Sequence, residues 1–276
     1  MDDSGSDGEE NPLIKAAKAC DLHALRRAIA EGCDVNYRDP DNGGYSHQQG
    51  WSALHHLCSS TYDSEPKQQR LACVAALIRA GADVNQRANH PEWPSPPIVL
   101  AARFCGAEVV RALIDAGADV NAALPENSGA PGLTPLHTAA IFNCAENVLL
   151  LIAAGAVVDA ISQTHGPGPG LGPESDGPIP ETPLDAATRF SVNSLFAGDF
   201  TRTYARLLRA GARIPTLPQP LMPPYLTAVA AAGGFARYER AHRTRLADIF
   251  IPKFPQLPKE IVHHIVSIWA DVGGHY

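Results

Sequence analysis

The decapeptide ALIRAGADVN (residues 76–85) returns 36 residues later as ALIDAGADVN (residues 112–121), with nine of its ten letters unchanged. Aligning on the glycine of these stretches finds three more degenerate copies, at Gly32, Gly155 and Gly211. A peptide that recurs along a chain indicates a structural unit that recurs with it. The sequence therefore predicts an array of five units.

Each copy opens with a second shared signal, clearest as TPLHTAA (residues 134–140). Thr134 can cap a helix through its hydroxyl, and Pro135 suits the first helical position because its φ is already set. A second helix follows, such as AEVVRALIDA (residues 107–116), and the glycine behind it supplies the positive φ that ends a helix. The unit is thus a helix pair followed by an extended finger. One such unit cannot bury its own apolar face, so the units must stack.

This unit resembles the ankyrin repeat, whose period of about 33 residues and T-P-L-H-x-A signature it carries. The resemblance covers residues 11–214 and implies an all-α solenoid of stacked helix-turn-helix units with hairpin fingers. It also implies that His55 and His137, at the histidine position of the signature, make structural hydrogen bonds to a neighbouring turn. Copy one has no histidine at that position, and copy five has Asp185 instead.

Insertions lengthen the array on both edges. The fingers are enlarged, most of all at residues 161–181, where glycine and proline are so frequent that we expect a flexible loop, either idle or used in binding. Two eight-residue inserts, within residues 59–69 and 191–200, extend the helices or their connecting loops on the opposite edge.

The segments outside the array have their own composition. Residues 1–10 are acidic and are expected to be disordered, and residues 215–224 are rich in proline and predict a stiff spacer. Residues 225–276 predict a helical tail, broken or bent at Gly233–Gly234. One side of its first part is apolar and another carries arginines; the apolar residues are Phe235, Tyr238, His242, Leu246 and Ile249, and the arginines are Arg237, Arg240 and Arg243.

Composition excludes several classes of protein. The formal charge is −7, and 45% of the residues are hydrophobic, without an apolar run long enough to span a membrane. No signal peptide is recognisable, and the six cysteines show no Cys-x-x-Cys spacing. We therefore expect a soluble intracellular chain, cytoplasmic or nuclear, with reduced cysteines and without membrane or nucleic-acid partners.

The motifs of catalysis are not recognisable in this sequence. The glycine-rich stretch at residues 166–172 has no Lys-Ser/Thr pair to hold phosphate. The adjacent histidines at 55–56 and 263–264 point about 100° apart on a helix, so neither pair holds a metal unaided. We expect no enzyme activity, no cofactor and no metal.

The last element, residues 254–276, has the order L-P-x-E-x-x-x-x-I. This order resembles the opening of an F-box and the truncated F-box-like tails of poxviral ankyrin proteins, which dock onto a cullin–RING ubiquitin ligase adaptor. The sequence stops about half-way through an F-box length. The resemblance implies these adaptor-docking residues: Leu257, Pro258, Glu260, Ile261 and Ile265. The alternative is a helix whose apolar stripe, with Val262, Ile268 and Trp269, caps the end of the array.

The function expected from the array is that of a protein–protein interaction scaffold, with a partner along the fingers and inner helices. Binding energy at such surfaces concentrates in a few large side chains. The candidates are Tyr37, Tyr45, Trp93, Arg103, Phe104, Ile141 and Phe142. Trp51 is expected between repeats, and Phe104 and Phe142 could also belong to the inter-repeat core. A substrate receptor of a cullin–RING ubiquitin ligase is the alternative function.

Overall fold

The computed structural model describes residues 10–39, 50–59, 67–90, 92–104, 106–164, 179–192, 198–216 and 222–271. The first ten helices are α1 (Pro12–Lys18), α2 (Leu22–Ala30), α3 (Ala53–Cys58), α4 (Lys67–Arg79), α5 (Pro97–Phe104), α6 (Ala107–Asp115), α7 (Pro135–Ile141), α8 (Ala145–Ala153), α9 (Pro183–Val192) and α10 (Thr201–Arg209). The tail adds α11 (Pro224–Ala231), α12 (Phe235–Phe250), a 3₁₀ turn (Ile251–Lys253) and α13 (Lys259–Asp271). Two short strands, β1 (Ser162–Thr164) and β2 (Ile179–Glu181), pair antiparallel.

The first ten helices form pairs that stack in chain order. The inner helices α1, α3, α5, α7 and α9 contact one another in sequence, and the outer helices α2, α4, α6, α8 and α10 form a second row. One apolar core runs through the whole stack, and its fully buried members include Leu13, Leu113, Leu136 and Leu207. The predicted all-α solenoid is confirmed.

The ends of the helices follow the chemistry of the repeated signals. Thr134 caps α7, with its hydroxyl 2.8 Å from Nδ1 of His137. In the fifth pair Asp185 stands at the position of His137. Its carboxylate accepts a hydrogen bond from the backbone N–H of Thr182 at 2.9 Å. After α6, Gly117 has φ of 88°, the left-handed conformation that ends a helix, as expected.

The asparagine of the repeated peptide ties each unit to the next. Asn85 donates from Nδ2 to the carbonyl of Gly117 at 3.0 Å and accepts from the N–H of Asp119 at 2.8 Å. Asn36 and Asn121 make the same two hydrogen bonds one unit before and one unit after. One asparagine per unit therefore satisfies a donor and an acceptor left free at the end of the next outer helix.

At the last junction the corresponding residue is Asp159. It accepts from the N–H of Arg213 at 3.2 Å, and its carboxylate lies 3.5 Å from the Arg213 side chain. An aspartate can accept but not donate, so the hydrogen bond to the glycine carbonyl is replaced there by an ion pair.

We expect Asn85→Ala to lower the free energy of unfolding by about 1–3 kcal/mol, because two hydrogen bonds between units are lost. Asn85→Asp keeps the acceptor, as at Asp159, and should cost less. Urea unfolding followed by circular dichroism measures both. Equal losses for the two variants would show that the acceptor contributes nothing at this junction.

The fingers are joined to one another by main-chain hydrogen bonds. Asn89 N donates to Gly50 O at 3.2 Å, Gly129 N to Glu92 O at 2.8 Å, and Gln163 N to Pro131 O at 2.7 Å. A Cβ on Gly132 would lie 2.5 Å from the carbonyl oxygen of Ile161, so the third and fourth fingers approach as closely as glycine allows. The described fingers therefore form a continuous edge of the stack.

Both ends of the loop at residues 161–181, which was expected to be flexible, are packed in the structure. β1 and β2 close its base, Ser162 is fully buried and Glu181 is 5% exposed. The carboxylate of Glu181 accepts from Arg189 at 2.6 and 2.8 Å. This ion pair and the strand hydrogen bonds hold the base, while residues 165–178 lie outside the described residues.

The tail continues the stack for one helix and then leaves it. Leu226 and Val229 of α11 are fully buried in the main core. Gly233 and Gly234 have φ of 78° and 114° and break the helix as predicted. A series of aromatic contacts joins α10 to α12: Phe200–Tyr204 at 5.9 Å, Tyr204–Tyr225 at 6.2 Å, Tyr225–Tyr238 at 5.4 Å and Tyr238–His242 at 5.9 Å between ring centroids.

The two faces predicted for the first part of the tail need correction. Ile249 is 53% exposed and does not continue the apolar side. Arg243 does not form a solvated stripe: it donates to Ser267 of α13 at 2.7 Å and pairs with Glu239 at 3.2 Å. Glu239 also pairs with Arg209 of the array. The packing of α13 against α12 therefore uses Arg243, whereas Arg237 and Arg240 are exposed.

Candidate protein-interaction surface

Trp93 is the most exposed aromatic residue among the candidates that lie within the described residues, at 41%. The backbone N–H groups of Glu92 and Trp93 donate to Nδ1 of His90 at 3.1 and 3.0 Å, which fixes the turn that carries the indole. The indole lies over Gly129 of the next finger, where a Cβ would come within 3.2 Å of the ring. The finger edge therefore presents a positioned aromatic side chain to solvent.

A second group of candidates lies at the C-terminal ends of the inner helices. The Cζ atom of Arg103 is 4.3 Å from the ring centroid of Phe104 and 4.1 Å from that of Phe142 on the next unit. Both rings are half-buried. Burial of its surroundings lowers the pKa of Arg103. These three residues form one contact group, which we call the Arg103 cluster (Arg103, Phe104 and Phe142).

At this end three inner helices have a phenylalanine at the same register position, each preceded by a long side chain. The dipeptides are Arg103-Phe104, Ile141-Phe142 and Arg189-Phe190. The Arg189 Cζ lies 4.7 Å from the Phe190 ring, repeating the contact of the third unit. Sequence reasoning did not include Arg189 or Phe190, although the repeated Arg-Phe pair at one register position was the signal that would have found them.

Ile141 does not belong to this surface. Its side chain is only 6% exposed, so it offers little area to a partner. The reason is length: at the same register position arginine reaches past its neighbours to solvent, whereas isoleucine packs down between the helices. We therefore leave Ile141 out of the candidate surface.

The remaining candidates are not gathered at one place. α5 has eight residues, so about 12 Å separates its finger end from its other end, where the Arg103 cluster lies. Tyr37 is half-buried and packs against the main core. Tyr45 lies outside the described residues. Trp51 is 6% exposed, in accord with its expected place between repeats.

The histidines of the repeated signal are structural, as the resemblance implied. Nε2 of His55 lies 3.1 Å from the carbonyl oxygen of Ser95, and Nε2 of His137 lies 3.0 Å from that of Glu181. Desolvation lowers the pKa of each imidazole to about 4, so both are neutral at pH 7. Each joins a helix start to the finger that follows on the next unit.

No group of three or more His, Cys, Asp or Glu side chains in the described residues could hold a metal ion. Among those residues, the helices are all too short or too polar to cross a bilayer.

The candidate docking residues of the tail are exposed. Leu257 is 36% exposed, Ile261 45% and Ile265 51%, and Pro258 and Glu260 also face solvent. The stripe expected as one surface is split, because Val262 and Val266 are buried against Leu246 and Ala247 of α12. α13 therefore rests on α12, and its Ile261 side is left uncovered by the described residues.

Residues 67–162 match the family model of ankyrin repeats, in three copies. The match covers α4 to α8, the part of the stack where the glycine, asparagine and T-P-L-H signals are most regular. Ankyrin repeats indicate a protein–protein interaction module, and their family is in general non-catalytic. The chain thus folds as an all-α solenoid of stacked helix pairs, and residues 67–162 of it match ankyrin repeats.

Proposed function

We propose that the chain is a non-catalytic scaffold that binds a protein partner along its fingers and inner-helix ends. In this proposal the array has five ankyrin repeats over residues 11–214, because α1–α2 and α9–α10 continue the same two rows of helices as the three matched copies. A spacer at 215–224 and a tail from residue 225 follow.

The observation that carries the proposal is Trp93. An exposed indole is costly to leave in water, and this one is positioned by the His90 turn and by Gly129 rather than being free to turn inward. Rigid exposed aromatic residues are the typical anchors of protein interfaces. The Arg103 cluster adds a second anchor of the types that dominate such interfaces, Arg and aromatic.

Affinity purification with mass spectrometry tests the proposal. The wild-type chain is compared with a Trp93→Ala, Phe104→Ala double variant. Each anchor is worth about 2 kcal/mol or more, so the partners of the wild type should fall by well over tenfold in the variant.

A second double variant, Leu149→Ala with Val157→Ala, is the control. These residues are 47% and 54% exposed and belong to the outer row and its following turn. Equal loss of partners in both double variants, or no loss in either, would contradict a binding surface on the fingers and inner-helix ends.

A second candidate function is that of a substrate receptor for a cullin–RING ubiquitin ligase. The exposed row of Ile261, Ile265 and Ile268 favours it, since an apolar helix face covered by nothing in the described residues is typical of a docking surface. In this candidate the repeats hold the substrate and residues 254–269 hold the adaptor.

Co-purification of a cullin adaptor with the full-length chain tests this second candidate. Ile261→Asp with Ile265→Asp should abolish recovery of the adaptor, as should truncation at Phe254. His263→Ala with His264→Ala changes exposed residues of the same helix and should have little effect. Recovery of the adaptor by the isoleucine double variant would refute docking through this face.

A further inference from the structure

The side chain of Arg103 has aromatic neighbours in place of a carboxylate partner. Its guanidinium is held by the rings of Phe104 and Phe142, one from its own helix and one from the next unit. Among the described residues, no carboxylate lies within 4.0 Å of it, and none of its side-chain N–H groups donates a hydrogen bond.

Five other arginines, all of them after residue 180, each have a carboxylate within 4.0 Å. The ion pairs are Arg189–Glu181 at 2.6 Å, Arg206–Glu146 at 2.6 Å, Arg213–Asp159 at 3.5 Å, Arg243–Glu239 at 3.2 Å and Arg209–Glu239. Arg189 is the most informative of them because it occupies the register position of Arg103 two units later. At that position the fold neutralises one arginine with Glu181, whereas the other has only aromatic neighbours within the described part of the chain.

Three features make Arg103 suited to an anion from outside. The residue is exposed, so its N–H groups are accessible. The two rings restrict its motion, which reduces the entropy lost when it binds. Its guanidinium offers a planar set of donors that fits both oxygens of a carboxylate. Desolvation lowers the pKa of Arg103, yet an arginine remains protonated at neutral pH.

The neighbours of Arg103 also define what should surround that anion. Phe104 and Phe142 are half-buried and offer apolar area beside the arginine, one from its own helix and one from the next unit. The equivalent position on the fourth unit is the buried Ile141, which brings no charge. The site thus has one positive position within an aromatic border, and a row of several acidic residues is not required to fill it.

We infer that Arg103 is the carboxylate-binding position of the proposed surface and that the partner is a protein segment carrying an Asp or Glu beside an apolar side chain. The inference rests on the proposed function, which it deepens by naming the chemistry of the partner. The carboxylate accepts hydrogen bonds from the Arg103 guanidinium, and the apolar neighbour packs on the Phe104 and Phe142 rings.

Selection of a phage-displayed library of random short peptides on the full chain tests the inference. We expect the selected sequences to be enriched in Asp or Glu next to an apolar residue, relative to the unselected library. The best peptide is then compared with its Glu→Gln or Asp→Asn counterpart by fluorescence anisotropy. Loss of the charge should weaken binding to the wild-type chain by about tenfold or more.

Substitutions in the chain complete a thermodynamic cycle. Arg103→Gln should weaken the acidic peptide by about tenfold or more and remove the difference between the acidic and amide peptides. Arg103→Lys should fall between, because it keeps the charge and loses the bidentate geometry. Arg111→Gln, a charge change at an exposed position of the outer helix α6, is the control and should leave affinity within about twofold.

The outcomes separate this inference from the proposed function. Selected peptides that depend on Trp93 or Phe104 but show no acidic preference would overturn the inference and leave the proposed function standing. An equal penalty for the amide peptide in the wild type and in Arg103→Gln would also overturn it. Absence of any selected peptide would count against both. The peptide exchange is measured on the wild-type chain, so it decides the matter even if Arg103→Gln folds poorly.

Discussion

Leu151→Ala should lower the free energy of unfolding by about 2–5 kcal/mol, whereas Leu149→Ala, two residues away on the same helix, should cost less than about 1 kcal/mol. Leu151 is fully buried in the core that runs through the stack, and Leu149 is 47% exposed. Leucine and alanine have similar helix propensities, so the difference between the two variants reports packing between units rather than helix formation.

Urea unfolding followed by circular dichroism measures both variants under one set of conditions. In a stacked array each unit depends on its neighbours, so the loss at Leu151 should shift the transition of the array rather than melt α8 alone. Similar losses at the two positions would mean that α8 does not turn its Leu151 side toward the core, and the order of the stack proposed for the outer helices would be wrong.

The repeated signals predicted the helix pairs well because each signal acts locally. Thr134 and Pro135 start a helix through bonds within a few residues, and Gly117 ends one through its own φ. Local chemistry of this kind can be read from one copy and confirmed by the others. The stacking followed from the narrow apolar faces, which have no alternative partner.

Contacts between units were harder to predict. Asn85 is invariant across the two best copies, but its partners, Gly117 and Asp119, lie more than thirty residues away in the next copy. The sequence of a single unit does not show that the Asn85 amide bonds to both of these residues. The repeat itself was the available signal, since the glycine, the aspartate and the asparagine recur together.

Side-chain direction limited the prediction of the site. Ile141 and Arg103 share a register position, yet one is buried and the other exposed, because the lengths of their side chains differ. On α13 the apolar residues cover a wide arc, and periodicity alone does not say which part meets a neighbour. In the structure α12 packs against Val262 and Val266, and the side of α13 that carries Ile261 is exposed.

The stability of the fold should fall steeply between pH 6.5 and pH 4 because three buried histidines are neutral in the native state. Desolvation lowers the pKa of His55 and His137 from 6.5 to about 4 and that of His56 to about 3. In the unfolded chain each imidazole regains its ordinary pKa and takes up a proton below pH 6.5. The unfolded state then binds more protons than the native state, so the free energy of unfolding decreases as the pH falls.

The magnitude follows from the same shift. Each such histidine contributes a slope of up to about 1.4 kcal/mol per pH unit, hence about 3 kcal/mol for His137 by pH 4. Above pH 6.5 the stabilisation is complete and the slope should vanish. Urea midpoints measured from pH 7.5 down to pH 4 should show this curve in the wild type, with carboxylates adding to it only at its acidic end.

His137→Gln identifies the source of the pH dependence. The variant should be less stable at pH 7, because the hydrogen bonds of His137 to Thr134 and to the Glu181 carbonyl are lost or weakened. Its slope between pH 6.5 and pH 4 should nevertheless be smaller than that of the wild type by up to about 1.4 kcal/mol per pH unit, since one proton-linked group has been removed. His23→Gln replaces an exposed histidine and should keep most of the wild-type slope. The outcome that would contradict this is a parallel loss of stability in His137→Gln and the wild type over this range. Protonation of the buried imidazole would then not cause the destabilisation by acid, which would have to come from the carboxylates alone.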